Sequence, residues 1–572
     1  MRLTKIFCAL VSSLTVAASA QVVTQTPAPP AENTEQLRDA VRRALQPDAP
    51  SAPAVTTPAA APAAPDYRAT PVARTMNVGS TNVTVASLTL QDAVHLALIH
   101  NRDLQVQRYN PIISEYDRRA LYSYYDPTFS SGVSRNNTER EGGGFNPQTG
   151  ASFPATRTET DNLNAGLAGV LPTGMRYDVG HSMTQVDAKR PSLIGTNQFG
   201  AIFGKDRSVS WESDAAITVT QPLLRDAWID APRLQIKLAR RNVRISELTL
   251  EREIMRIVTL VEQAYYELIG ARETVRVREA DVAVKKQFYD ENRRRVEVGT
   301  LAPLEEKLAQ SELALSESSL ITARNDEISA EAILKGLIRD DFVNQLRVRL
   351  ELTDKLIAVP VGVDLYENFR LAVEKRPDLQ ANRLNLEKQQ LQLKFDYNQL
   401  FPQLDVFASW GVNGLDQSAS GALDDLAKRR FQQDSYGLAL SFPLWMQGPR
   451  NNYKASKNAK AQAILDLKRF EETIIQDVDF TVRQLRTQWS LIPLTRERVA
   501  YQQAALEAER KKLEFGKSTS FEVLKIASDL TSARLNEIIA VKNYNQSLAE
   551  LAYRNGTTLE RQRIDRPERP NQ

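Results

Sequence analysis

The chain has 572 residues, and its 73 basic side chains against 70 acidic ones leave a formal charge of +3. Charges of both signs are interspersed, which excludes the strongly basic balance that marks nucleic-acid binding. At this length the chain can form two or more domain-sized units.

The first twenty residues have the layout of a secretory signal peptide. Arg2 and Lys5 give a positive start, residues 6–17 are mostly apolar, and small residues follow up to Ala20. The apolar stretch is about 12 residues long, against roughly 20 for a membrane-spanning helix. We therefore expect export with cleavage after Ala20. The only cysteine, Cys8, lies in this segment, so the mature chain is expected to have neither a disulfide nor a thiolate metal site.

Three segments have the composition of connections. Residues 21–86 are rich in Ala, Pro and Thr, and we expect a mostly disordered periplasmic extension there. Residues 341–362 are expected to be a linker. Gly556 is a plausible stop for the last helix, and we expect the charged tail 556–572 to be loose. No stretch after Ala20 is apolar for long enough to be a transmembrane helix.

The remaining sequence contains an internal repeat. One constant offset relates the following positions of the two copies: Ala97, Asp103, Leu104 and Gln105 to Ala372, Asp378, Leu379 and Gln380. At two shorter offsets, Gln221-Pro222-Leu223 corresponds to Phe442-Pro443-Leu444, and Val298-Gly299 to Phe515-Gly516. A tandem duplication follows, with repeats at 87–340 and 363–555. Each repeat is expected to contain a helix, two strands, a long helix, a turn and a helix.

Alternating segments predict two strands per repeat, at about 128–136 and 213–223 and at about 403–412 and 435–444. Apolar residues alternating with small or polar ones are typical of membrane barrel strands, but also of an ordinary half-buried strand pair. The barrel is favoured by aromatic residues where helices meet strands, which resemble an interfacial belt: Tyr124, Tyr125, Phe401, Trp228 and Trp445. Residues 134–210 contain two more alternating runs, either an extracellular hairpin or an extra barrel hairpin.

Long helices are predicted at about 231–298 and 451–515, the second with a break signal at Pro493. Their apolar positions are spaced alternately by three and four residues, as in a coiled-coil seam. About 65 helical residues span about 100 Å. The shorter helices are half as long, so that two stacked end to end match one long helix. The apolar seam of the last helix is thin and favours a hollow assembly of several chains.

The sequence gives no pattern for catalysis. Two of the three histidines, His95 and His100, are five residues apart and do not share the helical face that a zinc site needs. The glycine run 142–144 is not followed by the helix and lysine of a phosphate-binding loop. We therefore predict no enzyme, no catalytic or cofactor-binding residue, no cofactor and no metal site.

In the order and duplication of these motifs, the chain resembles the TolC-type outer-membrane efflux proteins from about Leu88 to Leu551. The resemblance implies a membrane α/β barrel. In this fold an internally duplicated helix-strand-strand-helix unit forms a trimeric 12-stranded outer-membrane β-barrel, continued by a long periplasmic α-helical coiled-coil tunnel. Three chains with four strands each would close the barrel.

The resemblance also implies the role of a passive exit duct in a tripartite efflux pump or type I secretion system. The expected location is the outer membrane of a Gram-negative-type bacterium, with most of the mass in the periplasm. The implied partners are two further copies of the chain, a periplasmic adaptor (membrane fusion protein), an inner-membrane pump and outer-membrane lipid, with no nucleic acid.

Within this family the turns at Gly299 and Gly516 correspond to the periplasmic tips, where the adaptor docks and the tunnel closes. Glu305 and Glu522 match the acidic residues that ring the entrance, and such a ring favours cations. Alternatively, they are solvated glutamates that the helix dipole stabilises. Lys525 replaces an acidic residue of the family.

The closing latch of the best-known member is not matched here. That protein has a tyrosine before the second turn and an arginine after it, where this chain has Leu513 and Ser518. We hypothesise that Lys525 and Lys307 pair with the two glutamates instead.

Two other classes of protein share some of these features. A periplasmic coiled-coil adaptor or tether, not inserted in the outer membrane, would have the same export signal and heptads. It would not have strand pairs beside aromatic residues in both repeats. A secreted hydrolase is supported by the signal peptide alone.

Overall fold

The computed structural model describes residues 73–78, 81–141, 145–146, 151–152, 155–197, 200–339 and 348–564. The predicted signal peptide and most of the expected extension lie outside these ranges, as does the end of the charged tail. No helix in the described ranges is both long and apolar enough to cross a bilayer.

Ten α-helices lie in the described ranges. They are α1 (Leu90–His100), α2 (Arg102–Ala120), α3 (Ala231–Glu297), α4 (Pro303–Ile338), α5 (Leu365–Lys375), α6 (Pro377–Asn398), α7 (Ala419–Ala427), α8 (Gln447–Glu514), α9 (Ser520–Arg554) and α10 (Thr558–Arg561). The long helices α3 and α8 have 67 and 68 residues, which corresponds to about 100 Å each. Asp230 caps the start of α3 by accepting a hydrogen bond from Arg233 N at 2.7 Å.

The helix α8 continues through Pro493, so the break predicted there is wrong. A proline removes only its own N–H donor and crowds one preceding carbonyl, a local cost of about 3 kcal/mol. The adjacent Ile492 is buried in the core of the second repeat. Packing of Ile492 in this core therefore helps to compensate for the lost hydrogen bond.

Eleven strands lie in the described ranges. They are β1 (Ala73–Val78), β2 (Thr81–Leu88), β3 (Thr128–Arg140), β4 (Phe145–Asn146), β5 (Ala151–Ser152), β6 (Thr156–Val170), β7 (Arg176–Asn197), β8 (Gly200–Pro222), β9 (Arg349–Leu352), β10 (Gln403–Asp416) and β11 (Phe431–Ser441). They form a three-stranded sheet β1-β2-β9, a short β4-β5 pair, and a six-stranded antiparallel sheet in the order β11-β10-β8-β7-β6-β3.

The six-stranded sheet corrects the expected strand count. Four strands per chain were predicted, and three such chains give the 12-stranded count. Residues 134–210 were predicted to contain either an extracellular hairpin or an extra barrel hairpin. They contain β6 and β7, which lie inside the sheet between β3 and β8. Period-two patterns identify strands but do not identify their neighbours, which long-range backbone pairing decides.

Two segments expected to lack structure are ordered in part. The extension was expected to be disordered as far as residue 86, but β2 pairs in parallel with β9 from Val85↔Arg349 to Leu88↔Leu352. β9 in turn lies inside the expected linker. This pairing joins positions more than 250 residues apart, so composition could not reveal it.

The described part of the charged tail is also packed. Gly556 has φ +77°, and the following helix α10 buries Thr558 and Leu559. The Lys375 ammonium lies 2.6 Å from the Glu560 carboxylate. The expectation of a loose tail is therefore wrong up to residue 564, because an apolar residue behind the glycine anchors it to the core.

Each repeat has its own apolar core. The first joins α1, α3 and α4 with β2 and β9, and the second joins α5, α8 and α9. Repeat-related residues occupy equivalent places, since Leu104 and Leu379 are both fully buried. Gln105 donates to the carbonyl of Ile99 at 2.9 Å, and its counterpart Gln380 donates to the carbonyl of Glu374 at 3.1 Å.

Candidate functional site

The helix-to-strand junctions meet at one end of the six-stranded sheet. β3 and β10 begin there, and β8 and β11 end there. The aromatic residues predicted as an interfacial belt flank these strand ends. Tyr124, Phe401, Trp228 and Trp445 are exposed, and Tyr125 is half-buried. The ring of Tyr124 packs edge-on against Tyr125 with centroids 5.5 Å apart, and Phe401 packs similarly against Tyr397 at 5.6 Å.

The turn between β6 and β7 lies at the same end and contacts the start of α3. Gly174 in this turn has φ +86°, a conformation that favours glycine. The guanidinium of Arg233 donates through Nη2 to the carbonyl oxygens of Asp226, at 2.9 Å, and Thr173, at 3.3 Å. Its Nη1 donates to the carbonyl of Ala227 at 2.9 Å. One arginine thus connects the inserted turn, the end of β8 and the long helix.

The two faces of the sheet differ in chemistry. The strand register aligns one apolar side chain from each of five neighbouring strands, in a row named here the apolar row: Phe129, Leu167, Val179, Ile217 and Trp410. All five are exposed, by 39 to 70%. The adjacent residues on the opposite face form the small-residue row: Ser130, Gly166, Gly180, Ala216 and Gly411.

Charged groups near this part of the sheet belong mainly to the small-residue face. Asp178 and Asp214 share it, as alternation along β7 and β8 requires. An exposed apolar face and a small or polar face on the same strands match the pattern of membrane strands that have lipid on one side and water on the other. On β11 the apolar row ends at Asp434, but Tyr436, Leu438 and Leu440 continue the apolar face and are strongly exposed.

The two predicted tips are glycine turns between long and short helices. Gly299 has φ +80° and Gly516 has φ +67°. The residue after each glycine forms an equivalent backbone hydrogen bond that ends the preceding helix. Thr300 N donates to the carbonyl of Arg295, and Lys517 N donates to the carbonyl of Lys512, both at 2.8 Å. This is the helix-ending geometry that a left-handed residue permits.

The structure places the helices of both tips in one apolar cluster. Phe288 of α3, Ala309 of α4, Leu506 of α8 and Leu524 of α9 are buried together. In the same region, the Arg510 guanidinium lies over the Phe288 ring, 5.7 Å from its centroid. The residues around the two glycines, 284–310 and 499–530, are called the tip region below.

The charged residues predicted for the gate lie in the tip region but do not pair with one another within one chain. Glu522 and Lys525 are exposed, and Glu305 is half-buried. Lys307 donates to Gln310 at 3.2 Å. Among the described residues, neither Lys307 nor Lys525 forms an ion pair with Glu305 or Glu522 within the chain, and the hypothesised pairing stays a prediction.

The positions of the missing latch make other contacts. Leu513 packs against the tip cluster. The Ser518 hydroxyl donates to the Glu509 carboxylate at 2.6 Å, and Lys512 donates to the same carboxylate at 2.8 Å. The Ser520 hydroxyl lies 3.3 Å from Asn292 Oδ1 of α3 and ties the second turn to the first long helix.

A network of buried polar side chains lies between α3, α4 and α9, and the sequence analysis does not predict it. The Lys285 ammonium lies 3.5 Å from the Asp281 carboxylate and 3.1 Å from that of Glu312. The Thr531 hydroxyl donates to Asp281 at 2.9 Å. The side chains of Lys285 and Asp281 are 5% and 3% exposed, so this is a buried ion pair. Their i, i+4 spacing on α3 was the available signal, but the same spacing is also common on exposed faces.

A second buried charge lies where the C-terminal segment contacts α3. Glu262 is fully buried, and burial raises the pKa of its carboxyl group. The Arg561 guanidinium, 3.5 Å away, and a hydrogen bond from Gln562 at 2.7 Å partly oppose this shift. Among the described residues, no group of three His, Cys, Asp or Glu side chains could hold a metal ion. The Nε2 atom of His181 lies 3.0 Å from the Ser213 hydroxyl, across the β7–β8 pair.

Comparison with known proteins places the chain in a family. The sequence model of the outer membrane efflux proteins matches residues 186–338 and 369–556. The outer membrane efflux protein BepC of Brucella suis is 21% identical over 398 residues, which cover 68% of this chain and 80% of BepC.

Solved channel structures have a similar fold. The CmeC outer membrane channel of Campylobacter jejuni has a TM-score of 0.56 at 15% identity, covering 82% of this chain and 86% of CmeC. The outer membrane protein VceC of Vibrio cholerae has a TM-score of 0.57 at 14% identity, covering 82% and 96%. The family match covers more than half of the chain, one block in each repeat, and the chain therefore belongs to the outer membrane efflux protein family.

Proposed function

We propose that three copies of this chain form the exit channel of a tripartite efflux pump or a type I secretion system. The channel is a passive duct in the outer membrane of a Gram-negative-type bacterium, and most of its mass lies in the periplasm. A periplasmic adaptor docks at the tip region and connects the channel to an inner-membrane pump. Membership of the efflux protein family supports this role.

One structural observation carries the proposal. The apolar row is exposed on one face of the sheet and the small-residue row lies on the other. Contiguous exposed apolar surface on a single chain marks a membrane or protein interface. Because small and acidic residues occupy the opposite face, that face suits a water-filled lumen. The aromatic residues at one end of the strands then lie at the level of lipid headgroups.

A pair of substitutions on adjacent residues of β8 tests this assignment. Ile217→Arg puts a charge on the apolar face, where it costs about 2–4 kcal/mol at the membrane midplane. Thr218→Arg puts the same charge on the opposite face, where water solvates it. We expect the first variant to reduce sharply the amount of protein in outer-membrane fractions and the second to insert normally.

Detergent extraction and imaging of the mature protein complete the test. We expect release only in detergent, as a trimer that has a detergent belt at one end. Release without detergent, as a monomer or dimer, would contradict the channel and favour the periplasmic adaptor. Equal insertion of the two arginine variants would contradict the assignment of the faces.

A further inference from the structure

We propose that the membrane barrel of this protein has eighteen strands, six from each chain, because the β6–β7 hairpin is part of the barrel wall. This inference rests on the proposed trimeric channel. It concerns a different property, namely the width of the exit and the surface by which copies of the chain join.

The hairpin is integrated into the sheet by continuous backbone pairing. β6 pairs with β3 from Thr128↔Ala168 to Arg140↔Thr156, and it pairs with β7 from Arg157↔Lys189 to Val170↔Arg176. Between Arg176 and Lys189, β7 also pairs with β8. The two inserted strands therefore occupy interior positions of the sheet, and β3 has no direct pairing with β8.

Ion pairs join the side chains at two of the three new strand interfaces. Between β3 and β6, the Arg135 guanidinium lies 2.5 Å from the Asp161 carboxylate. Between β7 and β8, Arg207 lies 2.6 Å from Asp187. At the other end of the hairpin, Arg233 holds its turn against the start of α3. The hairpin is thus fastened at both ends and cannot swing out without breaking these contacts.

The inserted strands also have the two-faced chemistry of their neighbours. Leu167 of β6 and Val179 of β7 continue the apolar row, and Gly166 and Gly180 continue the small-residue row. A hairpin that extended into water would not need to match both faces of the strands beside it. The match is the pattern expected for strands that share one membrane environment.

The edges of the sheet fit a second copy of the chain. β3 and β11 are the edge strands, and all but one residue of each is exposed. Six strands in antiparallel succession leave β3 and β11 running in opposite directions. The β3 edge of one chain can therefore pair antiparallel with the β11 edge of the next, and a head-to-tail ring closes without leaving an open edge.

The strand count determines the width of the barrel. With a strand spacing of about 4.8 Å and a tilt of about 40°, twelve strands give a backbone diameter of about 24 Å, and eighteen give about 36 Å. The cross-section enclosed by the backbone is then about twice as large.

Engineered disulfides in native membranes distinguish the eighteen-stranded from the twelve-stranded barrel. The single natural cysteine, Cys8, lies in the predicted signal peptide and is not expected to interfere. Ser131 is the direct partner of Ala165 on β6, and the same cross-strand row continues through His181 to Ala215 on β8. We expect Ser131→Cys with Ala165→Cys to form a disulfide within the chain. Ser131→Cys with Ala215→Cys should remain reduced, because three strand spacings of about 14 Å exceed the 7 Å limit for bridged Cα atoms.

A disulfide in the variant with Ser131→Cys and Ala215→Cys, and none in the variant with Ser131→Cys and Ala165→Cys, would overturn the inference. Residue 131 can reach residue 215 only if β3 pairs directly with β8. An independent check on β7 compares the membrane insertion of two variants, Val179→Arg and Asp178→Arg. In an eighteen-stranded wall, only the first variant loses membrane insertion, whereas a hairpin outside the membrane would tolerate both.

Cryo-electron microscopy of the detergent-extracted full chain then counts the strands directly. Eighteen strands at about 36 Å support the inference. A membrane-inserted trimer with twelve strands and residues 156–197 outside the wall would overturn it and leave the channel function intact. If no membrane-inserted oligomer formed at all, the proposed function itself would fall.

Discussion

The Arg233 guanidinium at the start of α3 donates through Nη2 to the carbonyl oxygen of Thr173, in the turn of the inserted hairpin, at 3.3 Å. The same group also donates to the carbonyls of Asp226 and Ala227. Hydrogen bonds from a charged donor contribute about 1.5–3 kcal/mol each to stability. Several stabilising hydrogen bonds are therefore made by one side chain where α3 meets the sheet.

We expect Arg233→Ala to destabilise the protein by at least about 2 kcal/mol, because four carbonyl groups lose their donor. The turn at residues 171–175 should also become accessible to proteases. Thermal unfolding and limited proteolysis of the detergent-solubilised protein measure both effects. The control is Arg241→Ala, which removes an exposed ion pair with Glu387 and should cost at most about 1 kcal/mol. Equal effects of the two variants would contradict this role of Arg233.

The glycines of the tip region should be sensitive to substitution through the backbone alone. Apart from the two adjacent residues in the chain, no atom of the part that the structure describes lies within 4 Å of a Cβ built on Gly299 or Gly516, so alanine meets no steric obstacle there. Each substitution should still cost about 1 kcal/mol, because alanine disfavours positive φ. Gly336→Ala is the matched control, since this glycine lies inside α4 and is equally open. It should stabilise the protein by about 0.5–1 kcal/mol. The same sign of change at all three positions, measured by thermal unfolding, would be inconsistent with this explanation.

Lys285 should contribute more to stability than any exposed lysine beside it. Lys285→Met leaves the buried carboxylate of Asp281 without its cation, and breaking a buried pair in this way costs about 3–5 kcal/mol. Lys286→Met changes the exposed neighbour on the same helix and should be nearly neutral. Denaturant unfolding of the two variants measures the difference. A small effect at Lys285 would show that Thr531 and water satisfy Asp281 without it.

Glu262 gives the stability a pH dependence of defined sign. Burial raises the pKa of its carboxyl group above the ordinary value of 4.5, so the fold favours the protonated form. Its contribution to stability is intact below pH 4.5 and is lost as the pH rises through the raised pKa. We therefore expect Glu262→Gln to be more stable than the natural chain at neutral pH and equal to it below pH 4.5.

Thermal unfolding across this pH range is the measurement for Glu262. The control is Glu253→Gln, which loses an ion pair with Arg256 at 2.5 Å and should gain no stability at any pH. Lower stability of Glu262→Gln at neutral pH would mean that Arg561 and Gln562 compensate fully for burial of the charge.

The acidic residues predicted at the entrance are tested by ion selectivity. If Glu522 rings the closed tip, Glu522→Gln should reduce the preference for cations, because the charge that attracts them is removed. Reversal potentials in planar bilayers under a salt gradient measure this preference. Glu387→Gln removes the same charge from α6, outside the tip region, and should change nothing. Unchanged conductance and selectivity in Glu522→Gln would remove the case for an acidic gate.

Local sequence patterns indicate the family, the duplication, and which long segments form helices and which form strands. These properties follow from short-range patterns in the sequence. They are the spacing of apolar residues by three and four in helices, the alternation of apolar with small or polar residues in strands, and the glycines that end helices. Ile257 and Leu268 are buried as their spacing requires. The order of these motifs resembles that of the efflux protein family, to which the chain belongs.

The identity of neighbouring strands and the burial of individual charges depend instead on long-range contacts. A strand pattern is the same for an isolated hairpin and for an interior strand, so the position of β6 and β7 depends on partners far away in the sequence. The same holds for β2 and β9, and for the tail that Leu559 anchors. The buried pair of Lys285 and Asp281 has the spacing of a surface pair, and the packing of α4 and α9 over it removes it from water. Contacts between distant segments, which local patterns do not encode, are the physical reason for each of these differences.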